Sequence, residues 1–96
     1  MLVPFVEIVE KSSLGEAKYQ IREVFINPDN IVSVKKDDKA ETMLREGKLP
    51  WDLHEGQSFS RIVLSSAAGA EFITVVGEPE HVVEKCLSTK SRLLKG

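Results

Sequence analysis

Apolar residues arrive along this chain in short bursts, and most bursts have the β-branched and aromatic richness of strands. The first is Val3–Glu10 (VPFVEIVE). A polar turn over Lys11–Gly15 follows, and then a second burst at Tyr19–Ile26 (YQIREVFI). These two predict a β-hairpin. Asn27-Pro28-Asp29-Asn30 stops the second strand, because proline presets φ for a turn and Asn and Asp side chains bond nearby backbone amides. Ile31–Lys36 (IVSVKK) reads as a third, short strand. Phe59–Ser65 (FSRIVLS) and Glu71–Val76 (EFITVV) flank a small-residue turn over 67–70 and predict a second hairpin. Gly77 breaks the last strand. Pro79 fits the first turn of a helix, where its missing N–H costs nothing. Val82, Val83, Cys86, Leu87, Leu93 and Leu94 then form one apolar stripe, which predicts a helix over about 79–94.

Positions 37–58 depart from this rhythm. Lys39–Glu46 (KAETMLRE) has helix formers around an apolar Met43-Leu44 spot, Asp37 or Asp38 to cap it and Gly47 to end it. Beyond it, Leu49-Pro50-Trp51-Asp52-Leu53-His54-Glu55-Gly56 reads as a loop with scattered apolar anchors. The whole reads as one α+β domain over 1–96: a small, mostly antiparallel five-stranded sheet with one C-terminal helix and a helical and loop insertion after the third strand.

The strands are apolar on both faces. By alternation, Tyr19, Ile21 and Phe25 point one way and Val24 and Ile26 the other; Ile73 and Val75 oppose Phe72 and Val76. One helix covers one face of a sheet. The second face then needs a curled, barrel-like closure, cover by the insertion, or another chain. Pairing of the fifth strand with the first is left open by the sequence.

Composition narrows the class. With 42% hydrophobic and 29% charged residues the chain is globular rather than disordered. A single cysteine, Cys86, allows no internal disulfide and points to a reducing, cytoplasmic setting. The N-terminus lacks the pattern of a signal peptide, and no apolar run approaches the roughly 20 residues of a membrane span. The net charge of -2 argues against a dedicated nucleic-acid binder. That figure hides an asymmetry, however. Nine basic and fifteen acidic side chains precede residue 85, while Lys85, Lys90, Arg92 and Lys95 follow with no acid. This complements a helix dipole, acids first and bases last. It also makes Lys90, Arg92 and Lys95 candidate phosphate contacts.

Reactive constellations are weak. One Cys and two His offer no metal-ligand spacing, and neither a nucleophile elbow nor a phosphate-cradling glycine loop is present. No catalytic, cofactor or metal residues are therefore assigned. His54 beside Asp52 and Glu55 is the one grouping that could support a shallow enzymatic site. Trp51, flanked by Leu49, Pro50 and Leu53, is an interface anchor or a lid over the open sheet face. Leu49, Trp51, Leu53 and His54 are the candidate partner-binding residues.

The segments FVEIVEK, REVFINPDNIVSVKKDD and SRIVLSSAAGAEFITVVGEPEHVVEK resemble those of small bacterial proteins of the flagellar FlbD type, and of similar short bacterial and phage proteins. Those chains also carry an Asn-containing turn before an IV-x-V strand, a strand pair and a Pro-Glu helix. The resemblance implies a small β-rich module of regulatory role and carries no catalytic residues. The insertion at 37–58 is a departure from it. The expected function is a non-enzymatic interaction module that binds a protein partner or itself, such as a phage or bacterial accessory protein. The alternative is a nucleic-acid-associated regulator using the basic end of the helix.

Overall fold

The computed structural model describes residues 1–49, 53 and 56–95, and the side chains of all of these except 12, 13, 16, 17 and 89–95. Five strands and two helices follow in the order β1 (Val3–Ser13), β2 (Glu16–Ile26), β3 (Ile31–Lys36), α1 (Asp38–Arg45), β4 (Phe59–Ser66), β5 (Gly69–Val76) and α2 (Pro79–Lys95). A 3-10 turn, Pro28–Asn30, sits between β2 and β3. All neighbouring strands are antiparallel and the sheet order is β2-β1-β5-β4-β3. No helix of the described residues is long and apolar enough to cross a membrane.

The first hairpin is longer than its apolar residues indicate. The ladder runs on through Lys11↔Lys18 to Ser13↔Glu16, so Lys11–Ser13 are strand and not turn. The reversal is made by Leu14 and Gly15 alone, both at positive φ (53° and 81°). A two-residue turn of that handedness matches the twist of the strands it joins. The second hairpin likewise starts earlier, with Ser66 paired to Gly69. Asp37, rather than Asp38, caps α1. Gly47, at φ 73°, closes the helix. Its N–H donates to Leu44 O and that of Lys48 to Met43 O, the paired bonds of a Schellman ending.

The fifth strand pairs with the first, through Glu7↔Val75 and Ile8↔Thr74. The sheet nevertheless stays open, with β2 and β3 as its two edges, so barrel closure does not occur. It is strongly curled all the same. A flat five-stranded sheet separates its edge strands by about 19 Å. Here the edges are consecutive in the chain, and the link between Ile26 and Ile31 is tightened by an Asn30 N–H to Asn27 O bond of 3.0 Å. Such a link spans about 15 Å at most. The edges are therefore drawn toward each other at this end.

The inside of the curl is the main core. Val3, Phe5, Ile26, Ile62, Val75 and Val82 are buried together, with Val24, Ile31, Val34, Leu64, Ile73 and Cys86 packed around them. Both edge strands contribute, as the curl requires. α2 is launched onto this concave face by a fixed turn. Ser60, fully buried, donates its hydroxyl to Gly77 O at 2.7 Å, and Gly77 N–H donates to Ser58 O at 2.8 Å. Gly77 adopts φ 124°, a conformation that glycine alone takes readily. Further along the helix, the Lys85 ammonium donates to Pro4 O and lies 5.1 Å from the Phe5 ring centroid.

The convex face is covered by the insertion. Ala40, Leu49 and Phe59 are buried there, with Ile8, Tyr19, Met43, Leu44, Leu53 and Val76 packed against them. Of the three ways to cover a second apolar face, this molecule uses its own insertion, through α1, Leu49 and Leu53. The cover is incomplete: Phe72, Phe25 and Val6 stay exposed on that side.

Candidate functional site

Leu49 lies inside the fold and Leu53 at its margin. Leu49 is 6% exposed in the convex cluster, and Leu53 is half-buried against it. Their apolar area is used to cover the sheet, which removes Leu49 as an exposed partner anchor. Trp51 and His54 lie outside the described residues, as do Asp52 and Glu55 of the candidate enzymatic grouping. Lys90, Arg92 and Lys95 fall in the last turns of α2, and their side chains lie outside the described set.

Two surfaces emerge in their place. The first is the outer side of α2. The six-residue stripe read from the sequence divides: Val82 and Cys86 face the core, while Val83 (45% exposed) and Leu87 (62%) face away from it. A one-residue step turns a helix by about 100°, so a stripe this wide cannot be buried against a single sheet. Val83 and Leu87 border two adjoining hollows. One runs along α2 past Pro79, Glu80 and Glu84; the other lies between α2 and the start of β3, past Pro28, Ile31 and Val34. Val32 adds exposed apolar surface at the β3 edge, where the ladder to β4 is irregular between Ile31 and Ser33. On the inner side of the same helix, burial pushes the Cys86 thiol pKa up, and neighbouring Lys85 pulls it partly back.

The second surface is a cleft of about 210 Å³ on the convex face, between the start of α1 and strands β1, β2, β4 and β5. Asp37 builds its corner. Its backbone N–H donates to Phe59 O at 2.9 Å, tying it to β4. One carboxylate oxygen accepts from Ala40 N–H at 3.0 Å, capping α1, and the other accepts the Thr74 hydroxyl at 2.7 Å. Three elements are thus pinned through one residue, β4 by its backbone and α1 and β5 by its carboxylate. Ile8, Ala40 and Met43 give the cleft an apolar lining, and Tyr19, Glu10 and Lys39 give it polar groups.

Arg61 and Phe72 form the outer wall. The guanidinium carbon lies 3.8 Å from the ring centroid, a close cation–π stack on an exposed phenylalanine. The β3–β4 register sets Lys35 directly opposite Arg61. Two cations opposed across a ladder repel one another. Among the described residues, neither Arg61, Lys35 nor Lys39 joins an ion pair; those formed are Glu7–Arg22, Lys36–Glu41 and Glu46–Lys48.

Reading the sequence missed this cleft, because its members come from five separate elements. Arg61 and Lys35 acquire meaning only when the register places them together. The division of the α2 stripe, by contrast, left a trace in the sequence: its apolar positions fall in adjacent pairs (82 and 83, 86 and 87), too wide for one contact face.

Against known proteins, the chain matches no protein-family model, no curated protein and no solved structure.

Proposed function

We propose that this chain is a non-enzymatic interaction module that works as a homodimer joined through the outer side of α2. The observation that carries this reading is the unpartnered Val83 and Leu87 stripe on a helix of 17 residues. Charge selects the occupant and its direction. The first half of α2 and its approach hold Glu78, Glu80 and Glu84; the second half holds Lys90, Arg92 and Lys95. A second copy laid antiparallel about Leu87, the middle residue of the helix, sets Glu84 of one copy level with Lys90 of the other. It also opposes the two helix dipoles favourably. The contact is self-complementary, as a two-fold interface must be. The setting is the reducing cytoplasm that a lone cysteine fits. The role is that of a bacterial or phage accessory or regulatory protein, which the FlbD-type resemblance implies.

Light scattering coupled to size exclusion tests the assembly. The wild-type chain should elute at twice its 10.7 kDa monomer mass at tens of micromolar. Leu87→Glu should elute as a folded monomer, because the position is exposed in the monomer and the substitution unfolds nothing. Glu84→Lys should weaken the dimer, and pairing it with Lys90→Glu should restore it. A wild-type monomer at these concentrations would overturn the proposal. A Leu87→Glu dimer as tight as wild type would overturn the interface.

A further inference from the structure

We infer that the convex cleft beside α1 is a binding site for a carboxylate attached to a short apolar chain. It lies on the opposite face of the sheet from α2 and does not depend on the dimer.

The cationic side of the cleft is built rather than incidental. Arg61 packs against the Phe72 ring and lines the cleft, so the stack restrains the guanidinium beside it. A planar guanidinium donates two parallel N–H bonds to a carboxylate, and orienting it beforehand removes part of the entropic cost of binding. Lys35, directly across the ladder from Arg61, and Lys39, on the cleft wall, add positive potential. An anion at this point relieves the repulsion between Lys35 and Arg61.

Size and the remaining lining set the ligand class. A cleft of about 210 Å³ is below the usual range for drug-sized ligands and suits a group of a few heavy atoms. Ile8 and Met43 offer an apolar patch beside the cations, so the anion carries a hydrocarbon group. Glu10 and Asp37 line the same cleft and oppose a dianion more strongly than a monoanion, which favours carboxylate over phosphate. Asp37 itself is occupied by Ala40 N–H and the Thr74 hydroxyl. A free small acid and the terminal carboxylate of a peptide present the same chemistry.

Amide-resolved NMR titration with N-acetyl-leucine separates the outcomes. The expected result is saturable shifts at Thr74, Ala40 and the Arg61 side chain, with millimolar affinity. N-acetyl-leucine amide, which lacks the charge, should bind at least about tenfold more weakly. Arg61→Gln should lose a similar factor, while Arg22→Gln, which alters an arginine away from the cleft, should leave binding unchanged. A peptide ending in a leucine carboxylate identifies a peptide terminus as the source if it binds more tightly than the free acid. If it fails to bind while the acid does, the source is a small molecule. Equal binding of acid and amide, tighter binding of inorganic phosphate, or no shift at tens of millimolar would each overturn the assignment. Repeating the titration on Leu87→Glu separates it from the dimer proposal: the monomer should bind equally well.

Discussion

The two faces of the sheet carry apolar residues from the same strands, yet they are completed differently. On the concave face, both edges bend inward over one cluster and α2 lies across it. Its buried charge, Glu7, is answered by Arg22 at 3.0 Å. On the convex face, the cover comes from the insertion, which buries Phe59 but stops short of Phe72. Apolar content along a strand therefore does not say how much of it the monomer uses. The covering element decides, and here a cover of limited reach leaves a cleft at its margin. The clusters hold the fold, while the margin of α1 and the back of α2 are the surfaces on which the proposed contacts rest.

The largest test of this contrast is Phe59→Ala. Phe59 is fully buried at the centre of the convex cluster, and its backbone carbonyl also accepts the Asp37 N–H. Removing its ring should cost about 3–5 kcal/mol, within the range expected for Ile62→Ala at the centre of the concave core. Urea denaturation measures both. A cost below about 1 kcal/mol at Phe59 would mean that the convex cover is not part of the cooperative fold.

Leu49→Ala is a smaller step along the same line. Its side chain lies where the insertion returns over the sheet, three residues past the end of the α1 cap. Truncation should cost about 2–3 kcal/mol, toward the low end for a buried leucine because its neighbours Met43 and Leu44 are only half-buried. Hydrogen exchange should show the loss first in α1, where the Ala40 amide reports the cap. If Leu49→Ala leaves stability unchanged but abolishes binding of a partner, the residue is an anchor after all, and the division between the faces fails.

Much of this was legible in the sequence, for identifiable reasons. Strands and helices announced themselves where local chemistry decides: Pro79 after Gly77, an aspartate cap at 37 or 38, the ending at Gly47. The α+β class and antiparallel order followed from those. Lys11–Ser13 were missed as strand because a polar three-pair extension of the ladder has no apolar signal; the Leu14-Gly15 turn sets it instead. The inward fold of Leu49 was left open, because an isolated apolar residue in a polar stretch reads the same whether it folds inward or points outward. The cleft was invisible for a different reason. Arg61, Phe72, Thr74 and Asp37 meet only through register and through the curl that a four-residue link imposes on five strands.

Phe72→Ala is the smallest expected effect on stability and sharpens the contrast most. The ring is 60% exposed and stacks with the Arg61 guanidinium. An exposed cation–π pair contributes about 0.5–1 kcal/mol, so the stability cost should stay within that range. The same substitution removes the ring that Arg61 packs on, and a less restrained guanidinium pays an orientation cost on meeting a carboxylate. Affinity for N-acetyl-leucine should then fall by about threefold to fivefold, with the fold intact by circular dichroism. The comparison with Phe59 is the informative one. Two phenylalanines on the same face, on adjacent strands, should divide cleanly, one acting on folding and the other on binding. A Phe72→Ala variant destabilised as much as Phe59→Ala would show that the convex margin is core, and would leave no exposed platform for a ligand.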